Sequence, residues 1–272
     1  MYKRILVPLD GSHFSEEIIP HAVGLAAIHG TELVLVRVVD EVSDEDEAAG
    51  YVNRLAPAHG AHGLCLLKSG DVAHALLKEA NRKPATLLAM TTRGHSGFTE
   101  VLLGSVAQRV MRSAKGSILM YHPTGANHAK HLPIRPRSVV LPLDGTPLSE
   151  AMTGAAAEFA RWINAELEVV SVLNSVRAAD VGETSEGEMV SLESGYVRSR
   201  ANQIGKQYGV QINWEVLHGD AVEAIVDHVA DRHDAILAMA TRREDALEAT
   251  LRGSVTAGCL RQAGVPVLVR LP

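Results

Sequence analysis

Aromatic residues and cysteines are scarce in this chain, which limits how its core is built and which cysteine-based sites it can form. Phe, Trp and Tyr together make up 4% of the 272 residues, so the core has to be built mainly from Ala, Val and Leu. The two cysteines, Cys65 and Cys259, are too few for a disulfide framework or a thiolate metal site. We interpret both as small core residues in a reducing compartment.

Long apolar runs and basic clusters are also missing. No stretch approaches the roughly 18 apolar residues of a membrane-spanning helix, and the opening MYKRILVPLDGS meets a proline and an aspartate before it reaches signal-peptide length. We therefore expect a cytoplasmic protein with no membrane partner. The net charge of -6, without any Lys/Arg-rich run, argues against nucleic acid as a partner.

What the chain does contain is an internal repeat that spans almost its whole length. RILVPLDGS at 4–12 matches SVVLPLDGT, SGDVAHALL matches HGDAVEAIV, and LLAMTTR matches ILAMATR. The second copy carries an insertion, which we place at 175–187 because that stretch is polar and contains glycine. We predict two domains, 1–123 and 137–272, joined by a linker at 124–136 that is rich in Pro, Gly and His.

Within each copy, short apolar segments alternate with helical patterns, which predicts five strands and four helices. Strands that are apolar almost throughout are buried on both faces, and this requires a parallel sheet with helices on each side. The predicted fold class is therefore α/β, with two tandem doubly wound five-stranded parallel-sheet domains of Rossmann-like type. Thr146 followed by Pro147 predicts a helix start, and Gly30 predicts a helix end.

In an open parallel sheet, ligands bind outside the carboxyl ends of the strands, near the point where the strand order reverses. Asp10 ends the first predicted strand, 38–40 end the second, Gly70 ends the third, and 91–103 follow the fourth. These four loops are expected to converge on one edge of the first domain.

The loop TTRGHSGFTEVLLGS at 91–105 has the features of a phosphate-binding loop. Gly104 and Ser105 open a helix, so its free backbone N–H groups and the positive end of its dipole should face an anion in the crevice. Ser105 can add a hydroxyl donor. Gly94 would allow the backbone to approach that anion closely or to take a positive φ.

This pattern of strand, TTRG, nine residues, GS and helix resembles the nucleotide-binding signature of the universal stress protein family, Gly-x-x-Gly-x9-Gly-Ser/Thr, and the likeness covers the chain twice. Thr91 stands where the signature has its first glycine. The resemblance implies one ATP per chain, with Mg²⁺, in the first domain. The residues that it places near the nucleotide are Pro8, Leu9, Asp10, Val38, Val39, Gly70, Thr91, Thr92, Arg93, Gly94, His95, Gly104, Ser105 and Val106.

The second copy has lost two of the three signature glycines. Ala240 and Arg243 stand at their positions, and only Gly253 with Ser254 remains. We interpret this domain as a structural partner, with the alternative that Arg242 and Arg243 pair with phosphate as charges. The resemblance further implies that the two domains are related by a pseudo-two-fold axis and pair through their last strands, SILMYH and VPVLVRLP, and that a homodimer is possible.

Structural roles are the alternatives for several of these residues. Gly104 and Gly253 could serve close helix-to-strand packing, Asp10 and Asp144 could cap the helices that follow them, and Arg93 and Arg242 could be solvated surface charges. The histidine pairs in HGAH and HAKH lack the further ligands of a zinc site, so no metal site is predicted from them.

The function that we predict is an ATP-binding stress or regulatory protein whose nucleotide state changes its shape or its protein partner. No Gly-x-x-x-x-Gly-Lys-Ser/Thr loop and no Gly-x-Ser-x-Gly elbow is present, so holding ATP is favoured over fast turnover. One alternative is a nucleotide-free scaffold. Another is slow ATP hydrolysis or self-phosphorylation, for which the candidate acceptors are Ser12, Thr92, Ser96 and Ser105.

Overall fold

The computed structural model describes residues 1–68, 70–94, 103–125, 132–173, 186–242 and 254–271. These residues form two compact units, the first within Met1–Arg135 and the second containing Pro136–Thr241 and the last strand. The predicted boundaries at 123 and 137 stay a prediction. None of the described helices is long and apolar enough to cross a bilayer.

The first unit is a five-stranded parallel sheet in the order β3-β2-β1-β4-β5. Its strands are β1 (Arg4–Pro8), β2 (Glu32–Val39), β3 (His62–Leu67), β4 (Thr86–Thr91) and β5 (Ile118–Tyr121). Its helices are α1 (His13–Glu16), α2 (Ile19–His29), α3 (Glu45–Leu55), α4 (Val72–Arg82) and α5 (Ser105–Ser113), with 3₁₀ turns at Val42–Asp44 and Ala56–His59.

The second unit repeats this sheet in the order β8-β7-β6-β9-β10. Its strands are β6 (Ser138–Pro142), β7 (Glu166–Leu173), β8 (Ile212–His218), β9 (Ala235–Ala240) and β10 (Val267–Arg270). Its helices are α6 (Pro147–Glu150), α7 (Thr153–Ile163), α8 (Glu186–Tyr208), α9 (Ala221–Val229) and α10 (Val255–Gln262). The predicted α/β class with two doubly wound parallel sheets is confirmed, while most of the predicted insertion lies outside the described residues.

The prediction of four helices per unit is wrong, because the first predicted helix of each unit is two helices. In both units one hydrogen bond from residue i to residue i−3 interrupts the helical ladder. The amide of Glu17 donates to the carbonyl of Phe14 in the first unit, and the amide of Met152 donates to the carbonyl of Ser149 in the second. These tight bonds end α1 and α6 after a single turn.

Both predicted helix boundaries are confirmed. The Thr146 hydroxyl accepts a hydrogen bond from the Ser149 amide, with Pro147 at the first helical position, and Gly30 ends α2 in the left-handed conformation with φ 60°. The core is aliphatic as expected, since Phe159 is the only aromatic residue among the twelve largest fully buried side chains of the described chain. Cys259 is buried, whereas Cys65 is only half-buried.

The segment 132–135, which the sequence analysis placed in the linker, packs on the first unit. The amide of Ile134 donates to the carbonyl of Pro20 at 3.0 Å. A Cβ atom on Gly24 would lie 1.8 Å from the carbonyl oxygen of Ile134, so only glycine at this position lets the segment lie against α2.

Candidate functional site

A cavity of about 320 Å³ opens at the carboxyl ends of β1, β2 and β4 in the first unit. Its position is the sheet edge at which the sequence analysis expected a ligand. The predicted residues that line it are Pro8, Leu9, Asp10, Val38, Thr91, Thr92, Arg93, Gly94, Gly104, Ser105 and Val106. Val39 and Gly70 do not line it, and His95 lies outside the described residues.

Asp10 forms a local turn at the end of β1. Its Oδ1 accepts hydrogen bonds from the Ser12 amide at 3.0 Å and from the Ser12 hydroxyl at 2.6 Å. The N-cap of α1 is Ser12, whose hydroxyl accepts from the Ser15 amide at 3.2 Å. The alternative that Asp10 itself caps the helix is therefore wrong, because the carboxylate holds the capping residue.

Gly94 is required by the carboxylate of Asp10. A Cβ atom on Gly94 would lie 1.8 Å from Asp10 Oδ2 and 2.7 Å from Asp10 Cγ, far inside van der Waals contact. Gly94 is not in the left-handed region, so the expectation of a positive φ is wrong. The absence of a side chain at Gly94 lets the loop after β4 close onto the loop after β1.

The first turn of α5 forms another wall of the cavity. Gly104 is the N-cap residue and has no side chain to accept from the first-turn amides. The amide of Gly104 donates to the carbonyl of Thr92 at 2.7 Å. The amides that face an incoming anion are those of the following residues, Ser105, Val106 and Ala107, all of which line the cavity.

Arg93 is a half-buried residue, so the alternative of a solvated surface charge is wrong. Its Nη2 donates to the carbonyl of Pro123 at 3.0 Å, and its guanidinium carbon lies 5.4 Å from the centre of the Phe14 ring. The neighbouring Thr92 hydroxyl lies 2.8 Å from His122 Nδ1. The loop after β4 is thus anchored to the segment that follows β5.

Sequence reasoning missed Arg37, which lines the same cavity. Its Nη1 atom is buried and has no hydrogen-bond partner among the described residues, and its guanidinium carbon lies 5.6 Å from the centre of the Tyr51 ring. Burial and a hydrogen bond to Glu16 raise the pKa of Tyr51 well above its usual value, so its ring stays neutral beside this cation. The signal was the one charged residue inside the apolar run LVLVRVV of β2.

The other lining residues that the sequence analysis did not name are Ser15, Val36, Val72, Leu76, Met90 and Ala107. Four of them are apolar side chains from β2, α4 and β4, so the cavity combines an apolar wall with a polar edge. Strand and helix patterns mark such residues as core, and nothing in the sequence distinguishes them from the rest of it.

The profile of the universal stress protein family matches residues 1–122 and 136–270. The chain belongs to the universal stress protein family. A universal stress protein of Methanocaldococcus jannaschii is 31% identical over 139 residues, which cover 44% of this chain and 82% of that relative.

Solved structures of universal stress proteins share the fold. One from Archaeoglobus fulgidus covers 99% of this chain and is covered to 98%, with a TM-score of 0.67 and 20% identity. Another, described as a universal stress protein in complex with cAMP, covers 49% of this chain and is covered to 96%, with a TM-score of 0.39 and 22% identity.

In the second universal stress protein unit, the N-terminus of the corresponding helix, α10, is capped by a side chain of the chain itself. Ser254 is the N-cap of α10, and its hydroxyl accepts from the Ala257 amide at 3.4 Å. Asp144 repeats the turn of Asp10, with Oδ1 accepting from the Thr146 amide at 3.0 Å. Arg242 is exposed, while Arg243 and Gly253 lie outside the described residues.

Proposed function

We propose that the first unit of this universal stress protein binds one adenine nucleotide per chain, ATP with Mg²⁺, and that the bound nucleotide regulates the protein. The observation that carries the proposal is the α5 N-terminus, which opens into the cavity without an N-cap side chain, whereas α10 is capped by Ser254. An anion would complete the hydrogen bonds of the first unit's helix, and the second helix supplies its own acceptor.

The charges around the cavity favour a phosphate group. Arg37 and Arg93 both line it, and the positive end of the α5 dipole points in the same direction. The buried Nη1 of Arg37 has no acceptor among the described residues, and a charge-assisted bond to a ligand oxygen would satisfy it. Asp10 is the carboxylate on the cavity wall, and Mg²⁺ is held in proteins by one or two carboxylates together with phosphate oxygens.

The remaining wall suits a purine. Val36, Leu76 and Met90 give an apolar surface, and ligand cavities in proteins are commonly about 300–1,000 Å³ with a mainly apolar lining. Val38 lines the same cavity, and the family resemblance implies an adenine contact from the main chain at this position.

The polar groups of the cavity favour regulation over fast catalysis. Asp10 Oδ1 already accepts two hydrogen bonds from Ser12, so that oxygen is occupied as an acceptor. Arg93 joins the cavity to the segment after β5 through the Pro123 carbonyl. A phosphate that contacts Arg93 would therefore alter the contacts of this segment, which leads to the second unit.

The test is the nucleotide content of the purified chain, released by heating and separated by chromatography, followed by calorimetric titration with ATP, ADP, AMP and cAMP. We expect one ATP per wild-type chain and loss of binding in Gly104→Trp, which fills the cavity edge. Gly253→Trp, the equivalent change in the second copy, is the matched control and should keep the site. Absence of binding at millimolar nucleotide would leave the protein-binding scaffold as the function.

A further inference from the structure

The second unit brings two glutamates and a histidine together on one face of its sheet. β7 and β8 are parallel, with Glu168 paired to Asn213 and Val170 paired to Glu215. Because alternate residues of a strand share a face, Glu168 and Glu215 lie diagonally on the same face of the sheet. Helix α9 packs on β7 and β8, and its His228 reaches both carboxylates.

The three side chains lie near one another, with Glu168 beside one imidazole nitrogen of His228 and Glu215 beside the other. His228 Nε2 lies 3.2 Å from Glu168 Oε1, and His228 Nδ1 lies 3.9 Å from Glu215 Oε2. One ligand atom from each residue lies within 4.8 Å of the other two. Two ligand atoms at tetrahedral positions around zinc, with bonds of about 2.1 Å, are roughly 3.4 Å apart.

Two of the three side chains are mostly buried and one is exposed. Those of Glu168 and His228 are only 14% and 12% exposed, and that of Glu215 is 54% exposed. The buried pair is therefore held in position, and the exposed glutamate is free to close the last separation. Burial raises the pKa of Glu168, but hydrogen bonds from His228 and Arg232 outweigh it and leave the pKa below its usual value.

Arg232 orients the central carboxylate. Its Nη1 donates to Glu168 Oε2 at 2.7 Å and its Nη2 donates to the Ser138 hydroxyl at 3.0 Å, so Oε1 is the oxygen turned toward His228. Hydrogen bonds of this kind commonly fix the ligating carboxylates of metal sites. The same Nη1 lies 2.9 Å from His228 Nε2, and a cation bound at Nε2 would replace this contact and the one between Nε2 and Glu168 Oε1.

We propose that Glu168, Glu215 and His228 form a binding site for a divalent transition-metal cation, with Zn²⁺ as the metal that the donor set favours. One imidazole nitrogen and two carboxylate oxygens suit zinc better than magnesium or calcium, which prefer oxygen ligands alone. Three protein ligands leave a fourth position for water or for a ligand from outside. The cation would join β7, β8 and α9 and so stabilise the second unit when it binds.

The first unit lacks this cluster, and the equivalent positions there have a different interaction. In the repeat, Val34 and Leu64 stand where Glu168 and Glu215 stand in the strand pairing, and Glu79 replaces His228. Glu79 there forms a buried ion pair with Arg4 at 2.7 Å, and Arg4 stands where the second copy has Ser138. Where the first copy has an ion pair between strand and helix, the second copy thus has a cluster with three potential metal ligands, two carboxylates and one imidazole.

The experiment uses Co²⁺, because zinc has no visible absorption of its own. The full chain, stripped with a chelator and free of nucleotide, is titrated with Co²⁺ and then with Zn²⁺. We expect a visible absorption band that saturates at one equivalent and disappears on addition of Zn²⁺. Glu215→Gln and His228→Gln should weaken Co²⁺ binding at least tenfold.

Two matched controls separate this site from scattered surface histidines. Glu166→Gln changes a carboxylate on the same strand that bonds only to Gln211 and Asn213, and His233→Gln removes a nearby exposed histidine. Both should bind Co²⁺ as the wild type does. The proposal is overturned if the wild type gives no band at millimolar Co²⁺, or if Glu215→Gln, an exposed change that leaves the fold intact, binds Co²⁺ as tightly as the wild type.

Discussion

At the residue scale, Asp10 lies so close to Gly94 that position 94 has no room for a side chain. The glycine was predicted from the sequence to serve an anion, and the structure gives it a further reason, which is the room that the carboxylate occupies. Gly104 differs, since a Cβ atom there would meet the Thr92 carbonyl oxygen at an ordinary 3.5 Å. Two glycines of one signature therefore have unequal tolerance of a side chain.

This difference predicts opposite outcomes for two small substitutions. Gly94→Ala should push the Asp10 carboxylate away from its Ser12 bonds and reduce ATP affinity at least tenfold, because the loops after β1 and β4 can no longer close. Gly104→Ala should bind ATP within about threefold of the wild type. Calorimetric titration of both variants checks the pair, and equal losses would contradict the assigned contacts.

At the element scale, the helices that follow β4 and β9 begin differently, because α5 has no side-chain N-cap and α10 is capped by Ser254. A substitution at each N-cap can reverse this difference. Gly104→Asp gives α5 a side chain that accepts from its first-turn amides, so the unliganded protein should gain about 0.3 kcal/mol of stability. The same carboxylate competes with phosphate for those amides, and ATP binding should fall to an undetectable level.

The control for this exchange lies in the second unit. Ser254→Ala removes the side-chain cap of α10 and should lower the free energy of unfolding by about 1 kcal/mol while ATP binding is unchanged. Urea unfolding and nucleotide titration measure the two effects separately. Retention of full ATP affinity in Gly104→Asp would show that the α5 amides are not the anion-binding group.

A second element-scale prediction concerns α8, which is held to α6 by an ion pair between Arg200 and Glu150. Burial raises the pKa of Glu150, but the bonds from Arg200 and Tyr196 outweigh it and lower the pKa overall. A carboxyl with a lowered folded pKa stabilises the protein above its unfolded pKa of about 4.5, and this contribution is lost as the pH falls through the folded value.

Glu150→Gln should therefore be less stable than the wild type at pH 7, by roughly 1–2 kcal/mol, and the difference should shrink below pH 4.5. Urea midpoints at pH 7 and at pH 3.5 measure it. Glu158→Gln, a change at a carboxylate on the exposed face of α7, serves as the control. A constant difference between Glu150→Gln and the wild type at both pH values would contradict the ion-pair account.

Much of the fold could be predicted from local patterns, because each one reports a local cause. Apolar β-branched runs marked the buried parallel strands, and Thr146 with Pro147 marked a helix start. The early break after α1 was missed, although Pro20 in the first turn of α2 marks it, because proline has no amide hydrogen to continue the helical ladder. Arg37 was missed although it is the one charged residue in the apolar run of β2, and the Glu168, Glu215 and His228 cluster was missed because strand pairing and helix packing bring its members together.

At the scale of the whole molecule, the chain contains the same fold twice, and the two copies have different residues at equivalent positions. The first copy has a helix N-terminus without a side-chain cap at its crevice, and the second caps that N-terminus and carries a charged cluster on one face of its sheet. Gene duplication relaxes the demand that both copies keep one ligand. Pairing of the units through their last strands, homodimer formation and a protein partner stay predictions.

The central claim is that the nucleotide lies in the first unit alone, between Asp10, Arg37 and the first turn of α5. The most direct test is an experimental structure of the full chain crystallised with Mg²⁺ and a non-hydrolysable ATP analogue. We predict density for one nucleotide, with its phosphates within hydrogen-bond distance of the Ser105 and Val106 amides. Density in the second unit only, or a first-unit cavity filled by its own side chains, would contradict the account.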